Sequence, residues 1–353
     1  MDLIFPFQNE IISPFIPDLI IKNTSKSSDE APWGKFPFAL MPDCSVYENT
    51  NEMKNKKETY LNFSYVDFIV ELKREPRLDP FSDKPDGGTS NYTCADGSAL
   101  STLGQLTAYA SSILSAQYRT HTFMVFIVKD YARLIRWDRS GAIFTKPIYF
   151  DNDPLLIDFF DRYNFADREA RGHDITVSPA SSQDIKLAKN KVPELREAKW
   201  CLDVTLSDQH FIIPVPTSTP DIPVGRWTRA TFAYDTARKR RVFLKDSWRV
   251  LLDDVKPEGD IYQLLHREGV PNIPSCWSDG DVGDETYHRS QTDNVVDDEK
   301  FGLRGQRERW KLTPHRHYRI VLCTVGRKLE DFSCSREFVQ AMYAALEGKM
   351  GFS

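Results

Sequence analysis

The run Arg241-Val-Phe-Leu-Lys245-Asp-Ser-Trp248 sets a lysine at the end of an apolar strand pattern, just after the turn Asp235-Thr-Ala-Arg-Lys-Arg240. An ammonium held there can grip the α- and β-phosphates of ATP. Glu258 opens a helical pattern, Glu258-Gly-Asp-Ile-Tyr-Gln-Leu-Leu-His266, and is placed to pair with that lysine. Gly225 stands in Val224-Gly-Arg-Trp-Thr-Arg, where a phosphate-wrapping loop would lie. A single glycine gives less close backbone approach than a glycine-rich loop. The segment Val321–Val325 would pass the adenine, with Cys323 and Thr324 beside it. The alternative for Lys245 is a solvated strand-end lysine. The run Arg238–Arg241 reads as a solvated hairpin tip, and His315 and His317 as ordinary surface or strand histidines.

A second constellation lies near the N-terminus. Pro42-Asp43 is followed by Glu71-Leu72-Lys73 at the end of a strong strand pattern. Two carboxylates on adjacent strand ends offer hard oxygen ligands to a divalent cation such as Mg²⁺. A lysine two residues after the glutamate shares its face of the strand and can stabilise charge at a phosphodiester. A helix carrying Gly104-Gln-Leu-Thr-Ala-Tyr109 brings Gln105 to the same neighbourhood. This is the PD-(D/E)xK pattern of restriction-endonuclease-like folds, and it points to Asp43 and Glu71 as metal ligands, with Lys73 and Gln105 beside them. The alternative is an ion pair of Asp43 with Lys73 that only ties the strands together.

These residues need elements to hold them. Periodicity predicts strands at Met41–Tyr47, Tyr65–Lys73, Phe123–Val128, Ala132–Trp137 and Ala142–Phe144, with helices at Thr102–Tyr118 and Leu155–Tyr163. The stretch 51–58 reads as a charged hairpin tip, and 79–99 as an exposed loop. Residues 167–195 read as mostly linker, with room for one exposed helix. Beyond them, strands are expected at Cys201–Leu206 and Phe211–Val215, with a hairpin of Gly225–Tyr234 and Arg241–Lys245. A surface insertion at 278–309, a strand at His317–Val325 and an amphipathic helix at Ser335–Lys349 complete the pattern.

Composition narrows the function classes. With 353 residues, 41% apolar, 22 Phe and 7 Trp, the chain can bury a sizeable core and has room for two domains. A net charge of −5 argues against a general nucleic-acid binder. The six cysteines show no CxxC spacing, so free thiols in a reducing, intracellular setting (cytoplasmic or nuclear) are expected rather than zinc. No apolar run is long enough for a membrane helix, and the first residues lack the basic flank of a signal peptide.

The chain resembles the fungal-type protein kinases from about Pro42 to Lys349. The resemblance is carried by Ile69-Val-Glu-Leu-Lys73, Gly104-Gln-Leu-Thr-Ala-Tyr-Ala110, Ala132-Arg-Leu-Ile-Arg-Trp-Asp-Arg-Ser-Gly141, Gly225-Arg-Trp-Thr-Arg229, Leu244-Lys-Asp-Ser-Trp-Arg249, Gly269-Val-Pro-Asn-Ile-Pro274 and His317-Tyr-Arg-Ile-Val-Leu322. It implies an α/β (α+β) architecture: a restriction-endonuclease-like mixed sheet at 36–166, a linker at 167–199, and a kinase-like N-lobe with the first helices of a truncated C-lobe at 200–353. It also implies ATP as cofactor, at Lys245, Glu258, Gly225, Cys323 and Thr324. No His-Arg-Asp and no Asp-Phe-Gly run occurs in the sequence. The expectation is therefore a pseudokinase: nucleotide binding without efficient phosphotransfer, with scaffolding or metal-dependent nuclease action as the rivals. A protein partner is expected over the apolar face of the last helix.

Overall fold

The computed structural model describes residues 12–29, 39–82, 96–215, 222–297, 312–326 and 329–350. Residues 36–38 of the expected first domain, Cys94 with 83–95 of the expected loop, and 298–309 of the expected insertion lie outside them. The strands are β1 Leu19–Asn23, β2 Cys44–Glu48, β3 Val66–Lys73, β4 Thr122–Val128, β5 Tyr131–Asp138, β6 Gly141–Phe144, β7 Val177–Pro179, β8 Cys201–Leu206, β9 Gln209–Pro214, β10 Arg229–Asp235, β11 Arg240–Val250, β12 Cys276–Asp281 and β13 His315–Leu322. The helices are α1 Asn51–Lys54, α2 Gly97–Ala116, α3 Leu155–Phe165, α4 Ser182–Lys191, α5 Glu258–Arg267, α6 Thr292–Asp297 and α7 Ser335–Met350. The chain divides into two compact units: Met1–Ile175, Thr217–Trp227 and Arg289–His315 form one, and Thr176–Pro216, Thr228–His288 and Arg316–Ser353 the other.

The first unit is built on a mixed sheet in the order β1-β2-β3-β4-β5-β6. Only β3 and β4 run parallel, with Glu71 opposite Phe126. Parallel neighbours need a crossover connection, and α2 lies in the chain between them. Asp96 caps α2, its carboxylate accepting from the Ser98 and Ala99 backbone amides. Both faces of the central strands are buried, which explains their unbroken apolar runs. Ile69, Met124 and Phe126 meet Leu106, Tyr109 and Ile113 of α2. Phe68, Val70 and Val125 meet Leu156, Phe160 and Tyr163 of α3.

The second unit carries a sheet in the order β12-β13-β11-β10-β9-β8-β7. Alternation divides the residues of β11. Phe243 packs with Tyr318, Ile320 and Leu322 of β13 and Tyr262 of α5. The neighbouring Asp246 is buried and accepts from Arg319 Nε at 2.6 Å and from His317 Nε2 at 3.0 Å. Trp248 stacks on His317 with ring centroids 4.9 Å apart. Arg319 also donates to the Thr205 carbonyl on β8 at 2.6 Å, so the sheet curls strongly between β13 and β8.

Several sequence expectations change. Residues 51–54 are a helical turn, α1, capped by the Thr50 hydroxyl rather than a hairpin tip. β1 was not anticipated; it pairs antiparallel with β2, Ile21 opposite Val46. The expected linker contains the one exposed helix allowed for there, α4, whose Ala188 packs against Cys201, Ile212 and Tyr234, and a strand not anticipated, β7, which pairs with β8. The expected insertion holds β12 and α6; Asp138 fastens α6 by accepting from the Gln291 and Thr292 amides and the Thr292 hydroxyl. Lys245 is not at a strand end: β11 runs on to Val250, because Asp246 is neutralised rather than solvated. Of the two readings open for His315 and His317, surface or strand, the structure shows the strand: both are buried on β13. On α7, Phe338, Val339, Met342, Tyr343 and Leu346 remain exposed among the described residues.

Removing one member of a buried ion pair strands the other. Asp246→Ala is expected to cost about 3–5 kcal/mol in urea unfolding of the second unit. A loss under ~1 kcal/mol would show that Arg319 and His317 find other partners.

Candidate functional site

Strand β3 delivers Glu71 and Lys73 to one face, the face covered by α2. Lys73 donates from Nζ to Glu71 Oε1 at 2.6 Å and to Gln105 Oε1 at 3.0 Å. The Gln105 amide in turn donates to the Tyr109 hydroxyl, one helical turn on, at 2.8 Å. Asp43 arrives from the residue before β2. Its carboxylate accepts from the Leu72 amide at 2.8 Å, and its own amide donates to Glu71 Oε2 at 3.3 Å. Thr24 holds this corner, its hydroxyl donating to the Pro42 carbonyl at 2.7 Å. The structure thus brings Asp43, Glu71, Lys73 and Gln105 together, and adds Tyr109, which the sequence reading did not single out.

The electrostatics of this corner are uneven. Burial and the neighbouring Asp43 charge push the Glu71 carboxyl up to about 7, although Lys73 opposes them. One lysine does not neutralise two carboxylates in a dry setting. A divalent cation would, and the carboxylate oxygens of Asp43 and Glu71 are the hard donors such an ion takes.

A second acidic group makes a useful contrast. Glu48, Asp67 and His173 also present ligand atoms within 4.8 Å of one another. Asp67, however, already pairs with Arg119 at 3.0 Å and lies 3.6 Å from Arg171. Burial would raise its pKa, yet the His173 hydrogen bond and the Arg119 charge hold it down at about 2. Its charge is spoken for, and it reads as structural.

In the second unit, Lys245 Nζ lies 2.5 Å from Glu258 Oε2, joining β11 to the first residue of α5. Both side chains are about a quarter exposed, at 23% and 26%, so a ligand can reach the pair. Cys323 and Thr324 follow the end of β13, the strand beside β11. They are clipped to Ser275: the Cys323 amide donates to its carbonyl, and its amide donates to the Thr324 hydroxyl. Gly225 belongs to the first unit, where its amide donates to the Arg139 carbonyl at 2.8 Å. Its φ of +95° is one that glycine adopts freely. Arg139 captures this segment, donating to the Pro223 carbonyl and lying 4.1 Å over the Trp227 ring.

The raised Glu71 pKa fixes a pH dependence. The unfolded carboxyl ionises near 4.3, the usual value for glutamate, and the folded one at about 7. The folded protein therefore keeps a proton between these values that the unfolded chain has lost. The stability this contributes is full below the lower value and lost as pH rises through the upper. In chelator-treated buffer, the melting temperature of Glu71→Gln minus that of the parent should widen by several degrees from pH 5 to pH 8. A difference that stays constant would contradict the assignment.

The comparisons with known proteins bear on the second unit most. Residues 88–351 match the family model for fungal protein kinase. No curated protein and no solved structure matches the chain. The matched span includes Lys245 and Glu258 and begins after Asp43, Glu71 and Lys73. Protein kinases in general use ATP and Mg²⁺. With most of its residues inside that match, the chain belongs to the fungal protein kinase family.

Proposed function

We propose that the second unit binds a nucleoside triphosphate, Lys245 gripping its α- and β-phosphates and Glu258 holding the lysine in place. The observation that carries this reading is the 2.5 Å pair between β11 and α5, within the family match and open to ligand. An ammonium that already faces a carboxylate is oriented before the phosphates arrive, so less conformational entropy is lost on binding. Cys323 and Thr324 are the proposed edge for the adenine. The sequence contains neither a His-Arg-Asp nor an Asp-Phe-Gly run, so binding without efficient phosphotransfer is the behaviour proposed for these 353 residues.

Titration with ATP and Mg²⁺ should raise the melting temperature, by an amount equivalent to about 2.7 kcal/mol at 100 times Kd. Lys245→Met should abolish the rise. No shift in the parent protein would refute nucleotide binding. Lys245-dependent phosphorylation of a generic protein substrate would refute the absence of transfer.

The Asp43–Glu71–Lys73–Gln105 corner favours a second reading, for the first unit alone: metal-dependent hydrolysis of a phosphodiester. Asp43 and Glu71 would hold the cation, which activates water and neutralises the scissile phosphate. Lys73, kept in place by Glu71 and Gln105, would face the charge that develops there. Mn²⁺ should raise the melting temperature of the parent but not of Glu71→Ala, and DNA should be cut only by the parent. Cation stabilisation that persists in Glu71→Ala would place the ion elsewhere, and uncut DNA at saturating Mn²⁺ would leave an inert cation site.

A further inference from the structure

Helix α5 has no side-chain cap: its N-cap residue is Pro257. The backbone N–H groups of its first turn therefore need partners from elsewhere. Gly259 supplies the link. Its amide donates to the Tyr318 hydroxyl at 2.8 Å, and that hydroxyl donates to Asp279 Oδ2 at 2.7 Å. Tyr318 is on β13 and Asp279 on β12, so two strands grip the turn that begins with Glu258. The Asp279 carboxylate also lies against the positive end of the α5 dipole. Glycine is a poorer helix former than alanine. The approach of the strand explains its presence here, because a Cβ at residue 259 would collide with the Asp279 carboxylate.

We propose that Tyr318 and Asp279, closing on Gly259, are positioning residues for Glu258, and through it for Lys245. They act through Glu258. They fix the first turn of α5 at the distance from β11 at which Glu258 reaches the lysine ammonium. The functional consequence rests on the reading of Lys245 as a phosphate anchor. The lock itself does not.

Acylation of Lys245 by an amine-reactive reagent, followed by mass spectrometry in nucleotide-free protein, reads the pair directly. The exposed Lys239 serves as internal reference. Glu258→Gln sets the rate of an unpaired lysine. Tyr318→Phe keeps the ring and removes only the hydroxyl. It should raise the Lys245 rate about five-fold, the scale of one net hydrogen bond lost, and so towards the Glu258→Gln value. Gly259→Ala should do the same. Asp279→Asn, which still accepts from Tyr318, should keep the parent rate, whereas Asp279→Leu should not. Circular dichroism of Tyr318→Phe should match the parent, which separates loss of the lock from loss of the fold. A Lys245 rate unchanged in Tyr318→Phe would overturn the proposal, and so would a Glu258→Gln rate equal to the parent's. If the lock is present and Lys245 does anchor phosphate, the same Tyr318→Phe protein should bind ATP as weakly as Glu258→Gln. If the parent shows no ATP binding, the labelling rates still decide the lock.

Discussion

A carboxylate buried in the second sheet, Asp246, governs how the lysine next to it is presented. Moving an anion out of water is costly, and only close cations with good geometry offset the loss. Arg319 supplies the cation from β13, His317 adds a hydrogen bond from the same strand, and Trp248 covers His317. Burial would raise the Asp246 pKa, but the His317 and Arg319 charges hold it well below the usual carboxylate range. The pairing joins β11 to β13 on one face. The opposite face is then free to carry Phe243 under α5 and Lys245 opposite Glu258. The lysine is thus set by groups on both sides of the sheet: a buried anion behind it and a helix whose first turn is gripped in front.

The first unit shows the same constraint resolved in two ways along one strand. Asp67 and Glu71 both lie on β3 and both are buried. Asp67 has arginine and histidine partners and remains an anion. Glu71 has one lysine and a second carboxylate beside it, and its proton affinity rises accordingly. Functional sites commonly carry such unbalanced charge, which is the ground for proposing chemistry at this corner rather than at the Asp67 cluster.

Much of this was legible in the sequence where periodicity was strong. The strands β3, β4 and β5 and the helices α2, α3 and α7 follow from apolar spacing alone. Spacing also brought Lys245 and Glu258 into one expected pair, and Asp43, Glu71, Lys73 and Gln105 into one expected cluster. What stayed hidden depended on partners remote in sequence. Asp246 looked like the end of a strand, since nothing local neutralises it; the signal was that Val242, Leu244, Asp246 and Trp248 share one face with β-strand alternation. Gly259 looked like an ordinary helix residue, because the carboxylate that excludes a side chain there comes from β12. The stretch 167–199 looked like a linker because its polar helix α4 buries little beyond Ala188, Val192 and Leu195 of the following turn.

The central claim is that Lys245 meets a nucleotide. Site-resolved acylation of every lysine, compared with and without ATP and Mg²⁺, tests it most directly. The account predicts that saturating nucleotide protects Lys245 and leaves the exposed Lys239 unchanged. Equal labelling of Lys245 in both conditions, under nucleotide concentrations that stabilise the protein, would contradict it.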